Sequence, residues 1–245
     1  MNDHTIEQLV EKIAGARKMA TLSGAGLSAE SGVPTFRDAG GLWRNHNPAE
    51  LATPEAFNSN PQLVWEFYNW RREKVLAVEP NPAHFALVEL EQHVRDFMHI
   101  TQNVDGLYSR AGGKKIIEVH GNLFATRCFE CDTEYPEFDK IVPYPSRCRS
   151  CNGLLRPGVV WFGEAVPAMD EAVRTLAGCD VFLVVGTSAS VQPAASLALV
   201  AKQYGAFVAE FNIEATPLTG QLDLFVTGPV GQTLPPVVTA SFGES

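Results

Sequence analysis

The sequence has no apolar run approaching the roughly 20 residues of a membrane-spanning helix. One of its longest, Val181-Phe182-Leu183-Val184-Val185, stops at Gly186, so no spanning segment is expected. Basic residues are also scarce: 19 Lys and Arg stand against 28 Asp and Glu, a net charge of −9 that repels a phosphate backbone unless the cations are segregated. Direct nucleic-acid binding is disfavoured. Met1-Asn2-Asp3-His4-Thr5 carries neither the cationic and apolar regions of a secretory signal nor the arginine-rich character of a transit peptide, and a cytoplasmic protein is expected. Internal repeats and low-complexity tracts are missing. With 45% hydrophobic and 19% charged residues, disorder and collagen-like repeats are excluded. What remains is a chain of 245 residues, long enough for one large α/β domain carrying a smaller insertion, with a core that needs no disulfides.

Ile6, Leu9, Val10, Ile13 and Ala14 fall at helical spacing, and residues 19–23 then read as a short strand running into Gly24. Further strands are expected at 97–101, 159–162, 181–185 and 206–211, each a short apolar run closed by polar residues or glycine. Buried strands alternating with helical stretches predict a parallel sheet. Two segments interrupt this rhythm. Residues 38–90 carry helical periodicity at 62–78, broken by Pro48, Pro54, Pro61, Pro80 and Pro82, and read as a helical insertion. Residues 122–157 hold four of the five cysteines with Pro136, Pro143 and Pro145, and too little apolar material for a core of their own. The expected organisation is a Rossmann-like parallel sheet in a large domain of residues 1–37, 91–121 and 158–245. A small domain would combine the helical insertion with a zinc ribbon at 122–157.

Cys128-Phe129-Glu130-Cys131 and Cys148-Arg149-Ser150-Cys151 are separated by 16 residues, the spacing of a four-cysteine zinc ribbon. Four thiolates fill a tetrahedral site and leave no position for water or substrate, so one structural Zn2+ is expected. Cys179 reads as a buried structural thiol. Gly24-Ala25-Gly26-Leu27-Ser28-Ala29 follows a strand and satisfies the G-x-G-x-x-G/A pattern of a dinucleotide turn, although a plain glycine turn has the same appearance. A dehydrogenase would then show a second strand ending in an acid about 20 residues on. The chain instead continues as the polar Ser31-Gly32-Val33-Pro34-Thr35-Phe36-Arg37-Asp38, which argues for a different use of the dinucleotide. Polar clusters at Thr101-Gln102-Asn103-Val104-Asp105, Gly186-Thr187-Ser188 and Phe211-Asn212-Ile213-Glu214 lie at expected strand ends, where open α/β sheets bind ligands. Each alone is equally a turn or a cap. His120 precedes the ribbon, at a junction that would form a cleft.

Taken in order, these motifs, with Gly32 to Arg37, His120-Gly121-Asn122 and Val159-Val160-Trp161-Phe162-Gly163-Glu164, strongly resemble the sirtuins from about residue 10 to 240. The resemblance implies an enzyme that consumes NAD to remove acyl groups from protein lysines, releasing nicotinamide and 2′-O-acyl-ADP-ribose. In that mechanism the acyl oxygen attacks the nicotinamide ribose, and His120 matches the base that then deprotonates a ribose hydroxyl. Asn103 and Asp105 match residues acting beside it on ribose and carboxamide. Cofactor contacts carried over by the same matching are Gly24, Ala25, Gly26, Ser28, Phe36, Arg37, Gln102, Asn103, Asp105, Gly186, Thr187, Ser188, Asn212, Glu214 and Val230. The acyl-lysine protein would bind as an extended strand along Val160, Trp161, Phe162, Gly163 and Glu164.

Tyr68 and Arg71 are three apart and would share a helix face, where a phenol and a guanidinium can bind a carboxylate. Arg71-Arg72-Glu73 by themselves read as a solvated helix face. Tyr-x-x-Arg, with the small Ala52, resembles the class III sirtuins, which implies removal of succinyl, malonyl and possibly glutaryl groups besides acetyl. The alternatives are mono-ADP-ribosyl transfer and a non-enzymatic zinc-ribbon binding protein, the latter using Arg127, Arg147 and Arg149 near the metal.

Overall fold

The computed structural model describes residues 3–34, 47–135 and 141–243. Phe36 and Arg37 lie outside the described residues. The chain opens with α1 (Asp3–Gly15), β1 (Lys18–Ser23) and the short α2 (Gly26–Ala29). Then come α3 (Pro48–Leu51), α4 (Pro54–Ser59), α5 (Pro61–Leu76), α6 (Pro82–His93), β2 (Asp96–Thr101), α7 (Leu107–Arg110) and β3 (Ile116–Glu118). The ribbon follows as β4 (Gly121–Cys128), β5 (Glu134–Tyr135) and β6 (Leu155–Val159). The last part runs α8 (Met169–Thr175), β7 (Val181–Val185), α9 (Leu197–Gln203), β8 (Phe207–Asn212), β9 (Leu224–Thr227) and α10 (Val230–Phe242). No helix among the described residues is long and apolar enough to cross a membrane.

The expected parallel sheet is present, six strands in the order β3-β2-β1-β7-β8-β9. Every residue of β7 is buried, which is why the sequence shows a continuous apolar run there instead of alternation. Val181, Leu183 and Val185 join one core with Leu9 of α1, Leu87 of α6 and Leu234 of α10. Phe182 and Val184 face the other way, into a core with Ala172 of α8 and Leu197 of α9. A third core lies outside the sheet. It combines Phe57, Trp65, Phe67 and Tyr68 of the helical segment with Leu123, Leu155 and Trp161 of the ribbon and its exit.

Two boundaries differ from the sequence reading. Ala83, Ala86, Leu87, Val88 and Leu90 of α6 are buried against the parallel sheet, so residues 82–90 pack with the large domain and not with the insertion. Periodicity reveals an apolar stripe but not the surface it will meet. The strand expected at 159–162 ends at Val159 and belongs to the antiparallel ribbon sheet, in the order β5-β4-β6. Beyond it the amides go to separate partners, Val160 N–H to the His120 carbonyl at 2.9 Å and Phe162 N–H to the Ala52 carbonyl at 3.0 Å. Among the described residues no second strand forms a ladder with that segment.

Arg72 reverses the reading of a solvated face. It is fully buried on α5, where its Nε donates to the Leu123 carbonyl at 2.7 Å and a terminal nitrogen donates to the Ala125 carbonyl at 3.0 Å. The guanidinium lies 5.5 Å from the Trp65 ring and 5.9 Å from that of Phe124. Burial lowers its pKa to about 10, which leaves it charged at neutral pH. This cation therefore fastens the helical segment to β4. Arg72→Met should lower the unfolding free energy by about 2–4 kcal/mol, because one buried and one half-buried carbonyl lose a charged donor. Arg72→Lys should recover only part of that, since an ammonium cannot reproduce the planar fork. Urea denaturation checks both; a loss below about 0.5 kcal/mol in Arg72→Met would mean the contact contributes no more than a surface residue.

Candidate active site

The strand order reverses between β1 and β7, and the crevice beyond their carboxyl ends is where this architecture binds ligands. Two glycine turns cross there almost in backbone contact. Gly24 N–H donates to the Val185 carbonyl at 3.1 Å and Gly26 N–H to the Gly186 carbonyl at 2.7 Å. A Cβ on Gly24 would lie 2.8 Å from Thr187 Cα, and one on Gly26 would lie 2.7 Å from the Gly186 oxygen. Gly186, with φ of +58°, leaves only 2.4 Å between such an atom and the Leu27 nitrogen. The glycines are thus required by this crossing, whatever approaches them from outside. Gln102 Nε2 donates to Thr187 Oγ1 at 2.9 Å, and Asn212 Nδ2 to the Thr187 carbonyl at 2.8 Å, which ties the ends of β2, β7 and β8 together. Ala25 and Ser188 are half-buried beside them, Glu214 is exposed, and Val230 is buried at the start of α10. A glycine turn ringed by amides and hydroxyls fits a dinucleotide, whose phosphates and sugars need close backbone approach and hydrogen-bond partners.

Beneath this rim runs a buried polar network. Ser28 Oγ donates to Asp105 Oδ2 at 2.7 Å, while Asn103 Nδ2 donates to Ser28 Oγ at 3.2 Å and to the Gly24 carbonyl at 3.0 Å. His84 Nδ1 accepts from Asn81 N–H at 3.2 Å, so its proton sits on Nε2, which faces Ser28 Oγ at 3.4 Å. His99 bridges Thr21 and Ser23 at 2.7 and 3.2 Å. Burial holds His84 near pKa 4 and His99 near 3, so both are neutral. For Asp105, burial raises the pKa against the opposing effects of Leu107 N–H, Ser28, Arg71 and Arg110. Sequence reasoning missed His84 and His99, which carry no spacing motif; the Asn81-Pro82 cap before His84 was the available signal.

His120 lies where β3 gives way to β4. Its Nδ1 stands 3.1 Å from the Gln102 carbonyl, an acceptor only, so Nδ1 carries the proton and Nε2 the lone pair. Burial lowers its pKa below the ordinary value, partly offset by that carbonyl. The next residue, Gly121, has φ of +75° and would place a Cβ 2.3 Å from the Gly158 oxygen, which fixes the turn that presents the imidazole. Asn122 Nδ2 donates to Glu118 Oε1 at 2.7 Å, bracing the same turn.

The segment from Val160 to Glu164 runs from His120 toward α5. Its amides are more heavily committed than expected of a free strand edge. Besides those of Val160 and Phe162, Trp161 N–H donates to Glu164 Oε2 at 2.7 Å, and Glu164 N–H to the Trp161 carbonyl at 3.1 Å. Among the described residues this leaves Gly163 N–H and the carbonyls of Val160, Phe162 and Gly163 for an added strand. Phe162 is 49% exposed, whereas Trp161 is buried, as are Ala52 and Tyr68. Trp161 Nε1 donates to the Tyr68 hydroxyl at 2.8 Å. The Arg71 guanidinium is centred 5.8 Å from the Tyr68 ring, and it lowers the phenol pKa that burial raises. The structure therefore brings Ala52, Tyr68, Arg71 and Trp161 together on one side of the segment.

In the ribbon, the sulfurs of Cys128, Cys131, Cys148 and Cys151 all lie within 4.8 Å of one another. Cys128 and Cys151 are 3.4 Å apart, and Cys131 and Cys148 are 3.7 Å apart. A tetrahedral zinc with bonds of about 2.3 Å needs sulfur spacings of about 3.8 Å, so the donor set fits that ion and closes its coordination. Asp132 and Asn152, one residue past the second cysteine of each pair, take φ of +55° and +62° to turn the chain back. Purified protein should carry about one zinc per chain, and Cys148→Ser should lower metal content and melting temperature together. Metal analysis beside a thermal melt checks this; a stable, zinc-free preparation would overturn it.

Residues 24–193 match the Sir2 family, whose members are the sirtuins anticipated from the motifs. The chain is 48% identical over 226 residues to the NAD-dependent protein deacylase of Leptospira interrogans, covering 91% of this chain and 92% of that one. Among solved structures, a Sir2 homologue in complex with NAD superposes with a TM-score of 0.89 at 45% identity, covering 96% of this chain and 93% of the other. Sir2 bound to acetylated peptide gives 0.80 at 30% identity, covering 98% and 99%. With a family match over more than half of its length and a relative close to half identical across nearly all of it, the chain belongs to the Sir2 family.

Proposed function

We propose that the protein is an NAD-dependent protein-lysine deacylase whose acyl pocket favours groups ending in a carboxylate, such as succinyl or malonyl. The observation that carries the reading is the pairing of a proton-accepting His120 with a polar, glycine-lined crevice at the switch of the sheet. The relatives named above support the reaction class. Bound NAD supplies a sugar carbon that becomes reactive as nicotinamide departs. The rim of Gly24, Gly26, Gln102, Thr187 and Asn212 would hold the dinucleotide, and Ser28, Asn103 and Asp105 would orient the ribose from below. His120 would take the proton of a sugar hydroxyl at Nε2, because Nδ1 is held by the Gln102 carbonyl. The acyl-lysine would enter along Val160 to Glu164 and place its acyl end toward Ala52, Tyr68 and Arg71. A nucleic-acid role for the ribbon draws no support from its arginines. Arg127 pairs with Glu164 at 3.0 Å, Arg147 donates to the Asn152 carbonyl at 3.2 Å, and Arg149 lies 5.9 Å over the Tyr135 ring.

Nicotinamide release that depends on an acyl-lysine peptide tests the reaction, and its absence would reject it. His120→Ala should abolish turnover without lowering the melting temperature. In the wild type, kcat/KM should fall on acidification with a midpoint below 6.5, because burial lowers the His120 pKa and only the neutral ring accepts a proton. A folded His120→Ala protein with normal product formation would remove the residue from the reaction.

The acyl preference is tested at Arg71. A charge-assisted contact to a carboxylate in a partly desolvated pocket contributes roughly 2–4 kcal/mol, so Arg71→Met should reduce succinyl-lysine kcat/KM by about 30- to 1,000-fold. Acetyl-lysine turnover should change far less. Tyr68→Phe should show a smaller succinyl-specific loss, nearer the roughly 1 kcal/mol of one hydrogen bond. Equal losses on the two peptides, with a lower melting temperature, would assign Arg71 to the helix and not to the substrate.

A further inference from the structure

Tyr68 is buried, and its hydroxyl oxygen lies 2.8 Å from Trp161 Nε1. An indole nitrogen donates and cannot accept, so in this pair the phenol oxygen is the acceptor. A phenol hydrogen lies close to the ring plane on one side of the oxygen or the other. With one side filled by the Trp161 N–H, the hydrogen is held on the opposite side. Tyr68 has no other hydrogen-bond partner among the described residues.

The indole is itself held. The Arg156 guanidinium sits 3.3 Å from the centre of its ring, and Phe57 packs at 5.5 Å between centroids. Glu164 accepts from the Trp161 amide, from Arg156 and from Arg127, which stand on β6 and β4. Arg156 is buried and also donates to the Val159 carbonyl at 2.9 Å. The two ribbon strands thus grip Trp161 through Glu164 and Arg156, and its N–H reaches across to α5.

We infer that Trp161 is a specificity-determining positioning residue: its indole N–H sets the Tyr68 hydroxyl as a hydrogen-bond donor, so that Tyr68 and Arg71 offer an arriving acyl group donors only. This rests on the reading that the pocket takes a carboxylate. An acceptor-only carboxylate matches a site of oriented donors, and its binding requires no rotor to turn at that moment. Acetyl ends in a methyl group and, beyond the amide carbonyl that both acyl groups share, has no acceptor to present to the Tyr68 hydrogen. Removing the N–H while keeping a ring frees the hydroxyl to rotate, and the preference weakens although both carboxylate-binding side chains remain.

The test is Trp161→Phe, which keeps an aromatic ring under Arg156, assayed with acetyl and succinyl versions of one peptide. The ratio of succinyl to acetyl kcat/KM should fall roughly 3- to 10-fold, the effect of one neutral hydrogen bond, and mostly through KM. In a Tyr68→Phe background the same substitution should move the ratio by less than about twofold, because no hydroxyl is left to orient. An equal drop in both backgrounds, or no drop in the wild-type background, overturns the inference. Should Trp161→Phe fail to fold, the benzothiophene analogue of tryptophan at this position removes only the N–H and must give the same two ratios. Arg71→Met is measured alongside. A selective loss there with an unmoved Trp161→Phe ratio rejects the role of Trp161 alone, whereas an unselective Arg71→Met rejects carboxylate recognition and this inference with it.

Discussion

The close crossing of the turn at Gly24 to Gly26 with the turn at Gly186 to Thr187 is the constraint on which the rest of the site depends. At these separations a single added methyl group on any of the three glycines would strike backbone, which has nowhere to go without parting β1 from β7. Its effects propagate by named contacts. Gly24 offers its carbonyl to Asn103, which holds Ser28, which holds Asp105. On the other side Thr187 collects Gln102 and Asn212. Gln102 in turn presents the carbonyl that selects the tautomer of His120. A change at the crossing would therefore reach the imidazole through covalent and hydrogen-bonded links, without touching it.

The helical segment and the ribbon are held together by arginines as well as by apolar burial. Arg72 spans from α5 to β4, while Arg156 and Arg127 converge on Glu164, whose pKa they and the Trp161 amide lower against the effect of burial. Buried ion pairs contribute little net stability over an apolar replacement, but their directional demands specify one arrangement. That suits the task here. Helices α4 and α5 and the ribbon share an apolar core, but apolar contact is not directional, and a planar guanidinium that must meet two carbonyls fixes one register.

How much of this could be read from the sequence follows from how far each feature is determined locally. The central strands were legible because a parallel strand covered on both faces must be continuously apolar, as β7 is. The cysteine pairs were legible because a tetrahedron of sulfurs dictates its own spacing. Tyr68 and Arg71 could be placed on one face from the helical repeat alone. The edge strands β3 and β9 were not legible, being three and four residues long, too short for any period. The run at 159–162 misled because burial of Trp161 mimics a strand, while its amides are bound one at a time to His120, Ala52 and Glu164. Arg72 and His99 were invisible for a common reason: each is buried by partners 50 or more residues distant, which no local pattern records, whereas His84 left only the trace of its cap with Asn81.

The electrostatics of Arg71 give the proposed acyl preference a direction. Burial lowers the pKa of this arginine, which means that the surroundings resist its charge, while Tyr68 and Asp105 act in the opposite sense. Asp105 is itself raised by burial and belongs to the network under Ser28, so it cannot swing out to neutralise the guanidinium without abandoning Ser28 and Leu107. A guanidinium held in a desolvated setting interacts strongly with a carboxylate that reaches it. A carboxylate entering on an acyl chain would meet it where desolvation makes a charge pair strong, whereas an acetyl group brings no charge. Preference for a dicarboxylic acyl group would then follow from the charge that its far end carries into this setting, which acetyl does not bring.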